Sequence, residues 1–545
     1  MTEETLGSYQ KRLFGQAVTE KLLKSPPDLF GFAAYLLHRT GAYIHVVEEN
    51  WLRSPDASKW PGLTRQIGQL WRKSLIEDSA PPRELRGLWS EIEALGSVTI
   101  SSLTTARLEK ANIDDKKLLD RLLRLLSVAD EASNGLGLPA SEGSRGLDAY
   151  ERQTMRRIVS QPLDHEQTTL CDYVDPSLMA VLPKSHTPST GITIRSLSHH
   201  LALIPTGEVK TKWFWAEAGK QSFGGVQLNV VVFPWPLEIA PRCFRPAKRV
   251  ESMPDGFDFF EYQTAQPDGW LEDVCALLND AERRIGDVDL VVFPELALSE
   301  AELGSLSVRL LERESPPMIV AGTLIPSNDG KFARNACVTL SAIVKDGEKT
   351  YAKSLQDKHH RWRLDPRQVK QYGLGGRLSP SRSWWEAMEI RSRQLKIFAL
   401  KPWLTLCTLI CEDLARPDPI ADTVRAIGPN LVIALLMDGP QLKSRWPARY
   451  GSVLADDPGS SVLTVTSLGM SLLSTPGGCS PSRVVALWKD SSTGVLQEIE
   501  LPRDSRGLAL CLTREESREF SADGRDCGGT TSHVTLSGVH SLRGA

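Results

Sequence analysis

Two grammars of apolar spacing divide the chain. Up to about residue 145, apolar residues recur three and four apart and β-branched alternation is scarce, which predicts amphipathic helices. SPPDLFGFAAYLLHRTGAYIHVVEEN opens on a Pro-Pro-Asp start signal and carries a broad apolar stripe. DDKKLLDRLLRLLSVADEASNGLGLP does the same from an expected Asp cap at 114 or 115, and ends near Asn134-Gly135. These stripes read as packing faces.

From 146 to 222 the pattern is mixed, with turn residues and short β-like runs in VLPKSHTPSTGITIRSLSHHLALIP. After Gly224 the period changes to short β-branched runs. VQLNVVVFPWP, DVDLVVFPELAL, PPMIVAGTLIP, NACVTLSAIV, WLTLCTLICED, PNLVIALLMD and SSVLTVTSLGM read as strands, several separated by helix-length stretches such as GWLEDVCALLNDAERRIG. Near-continuous Val, Leu and Ile within a run implies a strand buried on both faces. The expected organisation is therefore a helical domain over 1–145, a connecting region over 146–222 and an α/β sheet domain over 223–514. The Gly- and Ser-rich segment 515–545 is expected to be a polar tail or a late edge strand.

Composition narrows the classes. The 64 basic and 67 acidic residues leave a formal charge of -3, so nothing global points to nucleic acid or an anionic membrane. Nine scattered cysteines without a CxxC pair argue against a disulfide framework and a zinc ribbon, and favour a reducing, cytoplasmic setting. The first residues, MTEETLGSYQKRLFGQ, lack the basic region and apolar run of a secretory signal, and no stretch nears the roughly 20 apolar residues of a membrane span. The paired His199 and His200 have no acidic or cysteine partner at ligand spacing, so a surface or hydrogen-bonded role is expected rather than a metal site.

Chemistry in an open α/β sheet gathers where strands end. Three ends carry suitable groups: Glu295 in DLVVFPELAL, Lys358 in YAKSLQDKHHRW, and Cys411 in LTLCTLICEDLARP. A carboxylate, an ammonium and a thiol are the parts of acyl transfer through a thiol nucleophile. Taken singly each is a capped strand end, a surface lysine or a small buried residue. Cys407, within the same strand as Cys411, keeps that buried reading.

The combination resembles the nitrilase, or carbon–nitrogen hydrolase, superfamily over roughly residues 224 to 510. FPELAL resembles its Glu segment and ICEDLARPDP its Cys segment, in a form similar to the glutaminase domain of glutamine-dependent NAD synthetases. The stretch LLMDGPQLKSRWPARYGSVLADDPGSSVLTVTSLGM resembles the family's segment downstream of the cysteine. The family's Tyr-x-Lys-x-His pattern matches two lysines: Lys353 has the Tyr, Lys358 the His. Lys358 is favoured, because the strand would run through SLQ and deliver it beyond its end. A second family glutamate has no direct match; Asp365 stands at about the right distance, and the next glutamate is Glu386, past an insertion whose Trp384 and Trp385 either line a pocket or pack the insertion.

The resemblance implies an α-β-β-α sandwich that pairs with a second copy. It further implies a Glu295–Lys358–Cys411 triad, an oxyanion-stabilising N–H from Glu412, an amide or nitrile substrate, and neither metal nor organic cofactor. The extra N-terminal region and the -CED- motif suggest two alternatives. One is a nitrilase-like sensor or scaffold of a multi-protein system, defence among them, with a protein partner on the N-terminal helices. The other is a glutaminase-type ammonia supplier to a separate synthetase, since no GxxxxGK[ST] or Ser-Gly-Gly-x-Asp-Ser motif is present. The membrane helices of the lipid N-acyltransferase branch are missing.

Overall fold

The computed structural model describes residues 4–15, 18–47, 60–104, 110–138, 169–205, 209–216, 225–247, 254–327, 332–345, 347–475, 480–527 and 531–543. The expected boundaries near 145 and 222, and Cys479, lie outside these residues.

The N-terminal helices form where the apolar period predicts them. Pro26–Thr40 starts on two prolines and stops at Gly41, whose φ of 71° only glycine adopts freely, so the expected continuation becomes a 3-10 turn at Ala42–Val47. Ile113–Ala132 is capped by Asn112, not by Asp114 or Asp115. The Asn112 side chain accepts the N–H groups of both aspartates, and the Asp115 carboxylate returns a bond to the Asn112 N–H. This helix packs between Pro26–Thr40 and Trp60–Ile76.

Two seven-stranded sheets make up most of the rest. One runs in the order Glu348–Asp357, Arg334–Lys345, Met318–Ile325, Leu290–Ser299, Gln227–Val232, Gly507–Ser517, Thr531–Leu542. The other runs Leu496–Glu500, Val484–Lys489, Ser461–Thr466, Leu431–Leu436, Leu404–Ile410, Arg393–Lys401, Val209–Trp215. Strand alternation sorts the side chains of the first sheet. Val231, Val291 and Ile319 pack under helices Trp270–Ile285 and Glu300–Leu311, while Val230, Val292 and Val320 enter the core between the sheets. Helix Trp446–Asp456 packs on the second sheet, completing a helix–sheet–sheet–helix stack.

The sheet begins earlier than Gly224, because Val209–Trp215 pairs in parallel with Arg393–Lys401. Trp213 and Trp215 also donate their indole N–H groups to the Gly137 carbonyl, which binds the helical region to that edge. One apolar core runs from Leu6 through the long N-terminal helices to the second sheet, so the helices share a core with the α/β unit. Among the described residues no helix is long and apolar enough to cross a membrane, and eight cysteines are free.

The C-terminal segment forms the edge-strand alternative. Thr531–Leu542 pairs along Gly507–Ser517, and the loop between them carries Arg525 with no exposed side-chain surface. Its guanidinium meets Asp523 at 2.8 Å, Glu131 at 2.9 Å and Asp130 at 3.3 Å, tying the C-terminal loop to the long helix. Asp130 also accepts the backbone N–H groups of His199, His200 and Leu201. The surface alternative for His199 is thereby ruled out: it is buried and hydrogen-bonded to Thr187 and the Arg525 carbonyl, and burial pushes the His199 and His200 imidazoles down to about 4 and about 3. Arg525→Met removes the cation shared by Asp130, Glu131 and Asp523 and leaves Glu131 with Arg65 at 3.6 Å. We expect a loss of about 3–5 kcal/mol in urea unfolding, with the N-terminal helices losing hydrogen-exchange protection first.

Candidate active site

Glu295 sits in a break of strand Leu290–Ser299. Pairing with Met318–Ile325 shifts register between Phe293 and Leu298, and Leu296 takes a positive φ of 51°. Gly322 on the neighbouring strand makes this possible. A Cβ there would lie 2.2 Å from the Pro294 carbonyl oxygen and 2.4 Å from the Glu295 Cα.

Lys358 follows strand Glu348–Asp357, and its backbone N–H donates to the Asn335 carbonyl. Its Nζ lies 2.7 Å from Glu295 Oε1 and 2.6 Å from Glu386 Oε2, with 1% of the side chain exposed. Lys353 pairs instead with Glu300 on the surface, so the structure brings Lys358 and not Lys353 to Glu295. Burial pulls the Lys358 ammonium down, but Glu295 and Glu386 hold it charged, well above the ordinary lysine range. Burial raises the Glu295 carboxyl against the opposing effect of Lys358.

Asp365 does not join this group. Its carboxylate caps helix Pro366–Gln371 through the N–H groups of Arg367 and Gln368. Glu386 takes the place expected for it, at the end of strand Ser383–Glu386, and its Oε2 also accepts the Trp362 N–H. Asn335 completes the cluster: its Nδ2 donates to Glu295 Oε1 and to Glu386 Oε1, each at 2.7 Å. Trp384 packs the insertion with its indole on the Ser379 carbonyl, and Arg363 lies over Trp385. The tryptophan among the residues that line the neighbouring cavity is Trp362.

Cys411 ends strand Leu404–Ile410 at φ 45° and ψ −108°, a strained conformation for a non-glycine residue. Its N–H is fixed to the Leu435 carbonyl, and it forms the N-cap of the one-turn helix Glu412–Ala415. The thiol is buried. Burial first, then Glu295, raises its pKa, while Lys358 lowers it. Cys407 is inert core, its thiol pushed up by burial.

The Glu412 side chain pairs with Arg416 at 2.8 Å. Asp413 joins the two chemical turns: its carboxylate accepts the His359 N–H at 3.1 Å and lies 2.9 Å from His360 Nδ1. Beside the cluster lies a cavity of about 270 Å³. Asn335 and Glu386 form part of its wall, Phe260, Tyr262 and Trp362 give it aromatic sides, and Arg245 stands among its polar residues.

One group outside this site has metal-ligand types. His186, Glu519 and His533 place ligand atoms within 4.8 Å of one another. The hydrogen bonds set the tautomer against a metal. Asn430 Oδ1 accepts from Thr405, so its Nδ2 faces His186 Nε2; the ring proton therefore sits on Nδ1 and donates to Glu519 at 2.8 Å.

Solved structures similar to this chain include members of the CN-hydrolase, or nitrilase, superfamily. They include a CN-hydrolase superfamily protein of Xanthomonas campestris, at 13% identity and TM-score 0.26, covering 48% of this chain and 89% of that one. A Saccharomyces cerevisiae member of branch 10 of the nitrilase superfamily shows 11% identity and TM-score 0.28 over 59% of this chain and 92% of that one. The C. elegans NitFhit protein shows 13% identity and TM-score 0.27 over 52% of this chain and 61% of that one. No protein-family model and no curated protein sequence matches the chain.

Proposed function

We propose that this protein hydrolyses a non-peptide C–N bond, an amide in the first instance, through a covalent thioester on Cys411. The observation that carries the reading is the Lys358 ammonium clamped between Glu295 and Glu386 with almost no exposed surface, electrostatically coupled to a thiol in a strained turn. Buried ion pairs contribute little net stability against apolar packing, so such a cluster at strand ends beside a cavity fits chemistry better than scaffolding.

In the mechanism, Cys411 Sγ attacks the carbonyl carbon as Glu295 takes the thiol proton. Lys358 and the Glu412 N–H stabilise the oxyanion. Glu295 returns the proton to the departing nitrogen, then activates the water that breaks the thioester. Glu386 and Asn335 hold Glu295 and Lys358 in register. The residues require no metal or organic cofactor for these steps. We place the protein in the cytoplasm, as a homo-oligomer, with the N-terminal helices available to a protein partner.

The depth of Cys411 and its raised pKa favour one second reading, a nitrilase-like sensor or scaffold with an unreactive thiol. The two separate on ammonia release from an amide panel. The hydrolase reading requires release that Cys411→Ala takes to the background rate and Glu295→Gln lowers by about 10²-fold or more; release near the wild-type rate in either variant sinks it.

A further inference from the structure

A four-stranded sheet outside the sandwich runs in the order Arg363–Leu364, Ser383–Glu386, Phe257–Tyr262, Phe244–Pro246. Phe260 stands opposite both Glu386 and Pro246, so Glu386 and the edge strand that carries Arg245 are two strand spacings apart, about 10 Å. Arg242 precedes that edge strand, in the turn Pro241–Cys243. These residues border two cavities. Glu386 lines the one of about 270 Å³ beside the cluster, Arg242 lines a second of about 850 Å³, and Arg245 and Gln263 line both, so the two adjoin across those side chains.

Arg506 also lines the larger cavity, and among its described lining residues Glu238 is the one acidic group against three arginines. Glu261 braces Arg245 at 3.0 Å and Asp273 braces Arg506 at 2.7 Å; each pair orients its guanidinium and leaves further N–H groups to donate. Their side chains are 57% and 37% exposed, so a ligand can reach them. Arg242 is exposed and has no ion pair or hydrogen bond among the described residues. The smaller cavity has walls of another kind, with Phe260, Leu296, Trp362 and Met388 among them. We propose that the larger cavity is a binding subsite for an anionic group, a carboxylate or a phosphate, held by Arg242 and Arg245, on a ligand whose apolar arm lies in the smaller cavity. Either anion accepts the paired N–H groups of an arginine fork. The subsite is defined by binding and does not rest on the hydrolase reading; under that reading it holds the end of the substrate remote from Cys411.

The test is calorimetric titration of full-length wild-type protein, at fixed ionic strength, with 4-phenylbutyrate, phenyl phosphate and the uncharged 4-phenylbutan-1-ol. At least one of the two anions binds at a single site about tenfold or more tightly than the alcohol, and which of them does so identifies the anion as carboxylate or phosphate. Acetate and inorganic phosphate, which lack the arm, bind more weakly than their arm-bearing counterparts. The anion preference falls toward one in Arg242→Gln and in Arg245→Gln, whose fold is kept because an exposed ion pair contributes little. It survives in Arg309→Gln, a surface arginine of helix Glu300–Leu311 outside both cavities. Alcohol binding as tight as that of both anions, no binding of any probe at millimolar concentration, or an anion preference retained in either cavity variant overturns the inference. So does binding of acetate and inorganic phosphate as tight as that of the arm-bearing anions. None of the probes contains a C–N bond, so these results stand apart from the success or failure of the hydrolase reading.

Discussion

Lys358→Met is expected to unfold at markedly lower urea concentration than the wild type and to release no ammonia from any amide. Methionine matches the length of the stem, but Glu295 and Glu386 would then face each other in a site where burial already raises the Glu295 carboxyl. Stranding a buried charge in this way costs about 3–5 kcal/mol. The pH dependence carries the diagnostic sign. Carboxyls with folded pKa values above their unfolded ones bind more protons in the folded state, so stability of the variant rises as pH falls. The deficit against wild type is therefore largest at neutral pH and shrinks toward pH 4. A pH-independent deficit, or none, would place the lysine charge outside the cluster. Asn335 softens the effect by its two donated hydrogen bonds but brings no charge.

The second large effect is on rate without loss of fold. Glu295→Gln keeps the shape of the side chain, and Lys358 retains Glu386 as its partner, so urea unfolding should change little. Turnover should fall about 10²–10⁴-fold, the usual range for a positioned general base. Cys411→Ala should fall to the background rate, because among the described residues no other thiol lies in the cluster. The acid limb of the wild-type kcat/KM profile should lie above the ordinary carboxylate range, reflecting the raised Glu295 carboxyl, and should vanish in Glu295→Gln.

The apolar runs and the polar residues that interrupt them made the strand ends legible, which is why Glu295, Lys358 and Cys411 stand out in one dimension. Lys358 could be preferred over Lys353 because a strand extended through SLQ carries only the later lysine past its end. Glu386 could not be ranked over Asp365 in that way. It reaches the site because Ser383–Glu386 returns to lie parallel to Phe257–Tyr262, a pairing across more than a hundred residues with no local signal. Asn335 and Gly322 escaped notice for a related reason: each looks like an ordinary strand residue until the bulge at Glu295 brings its neighbour close. For the C-terminal segment, composition left a polar tail and a late edge strand both open, and the structure forms the strand. Its Gly- and Ser-rich character suggests a free tail, yet one buried arginine and a full-length strand pairing fasten it to both the helices and the sheet.

The proposed covalent thioester is tested most directly by intact mass spectrometry of wild-type protein and Cys411→Ala after incubation with a panel of amides. The mechanism predicts a mass increase equal to the acyl group of a reacting amide, mapped by peptide digestion to Cys411 and absent from the variant. Ammonia released by wild-type protein with no acyl mass at Cys411 under rapid quench, or released equally by Cys411→Ala, would contradict it.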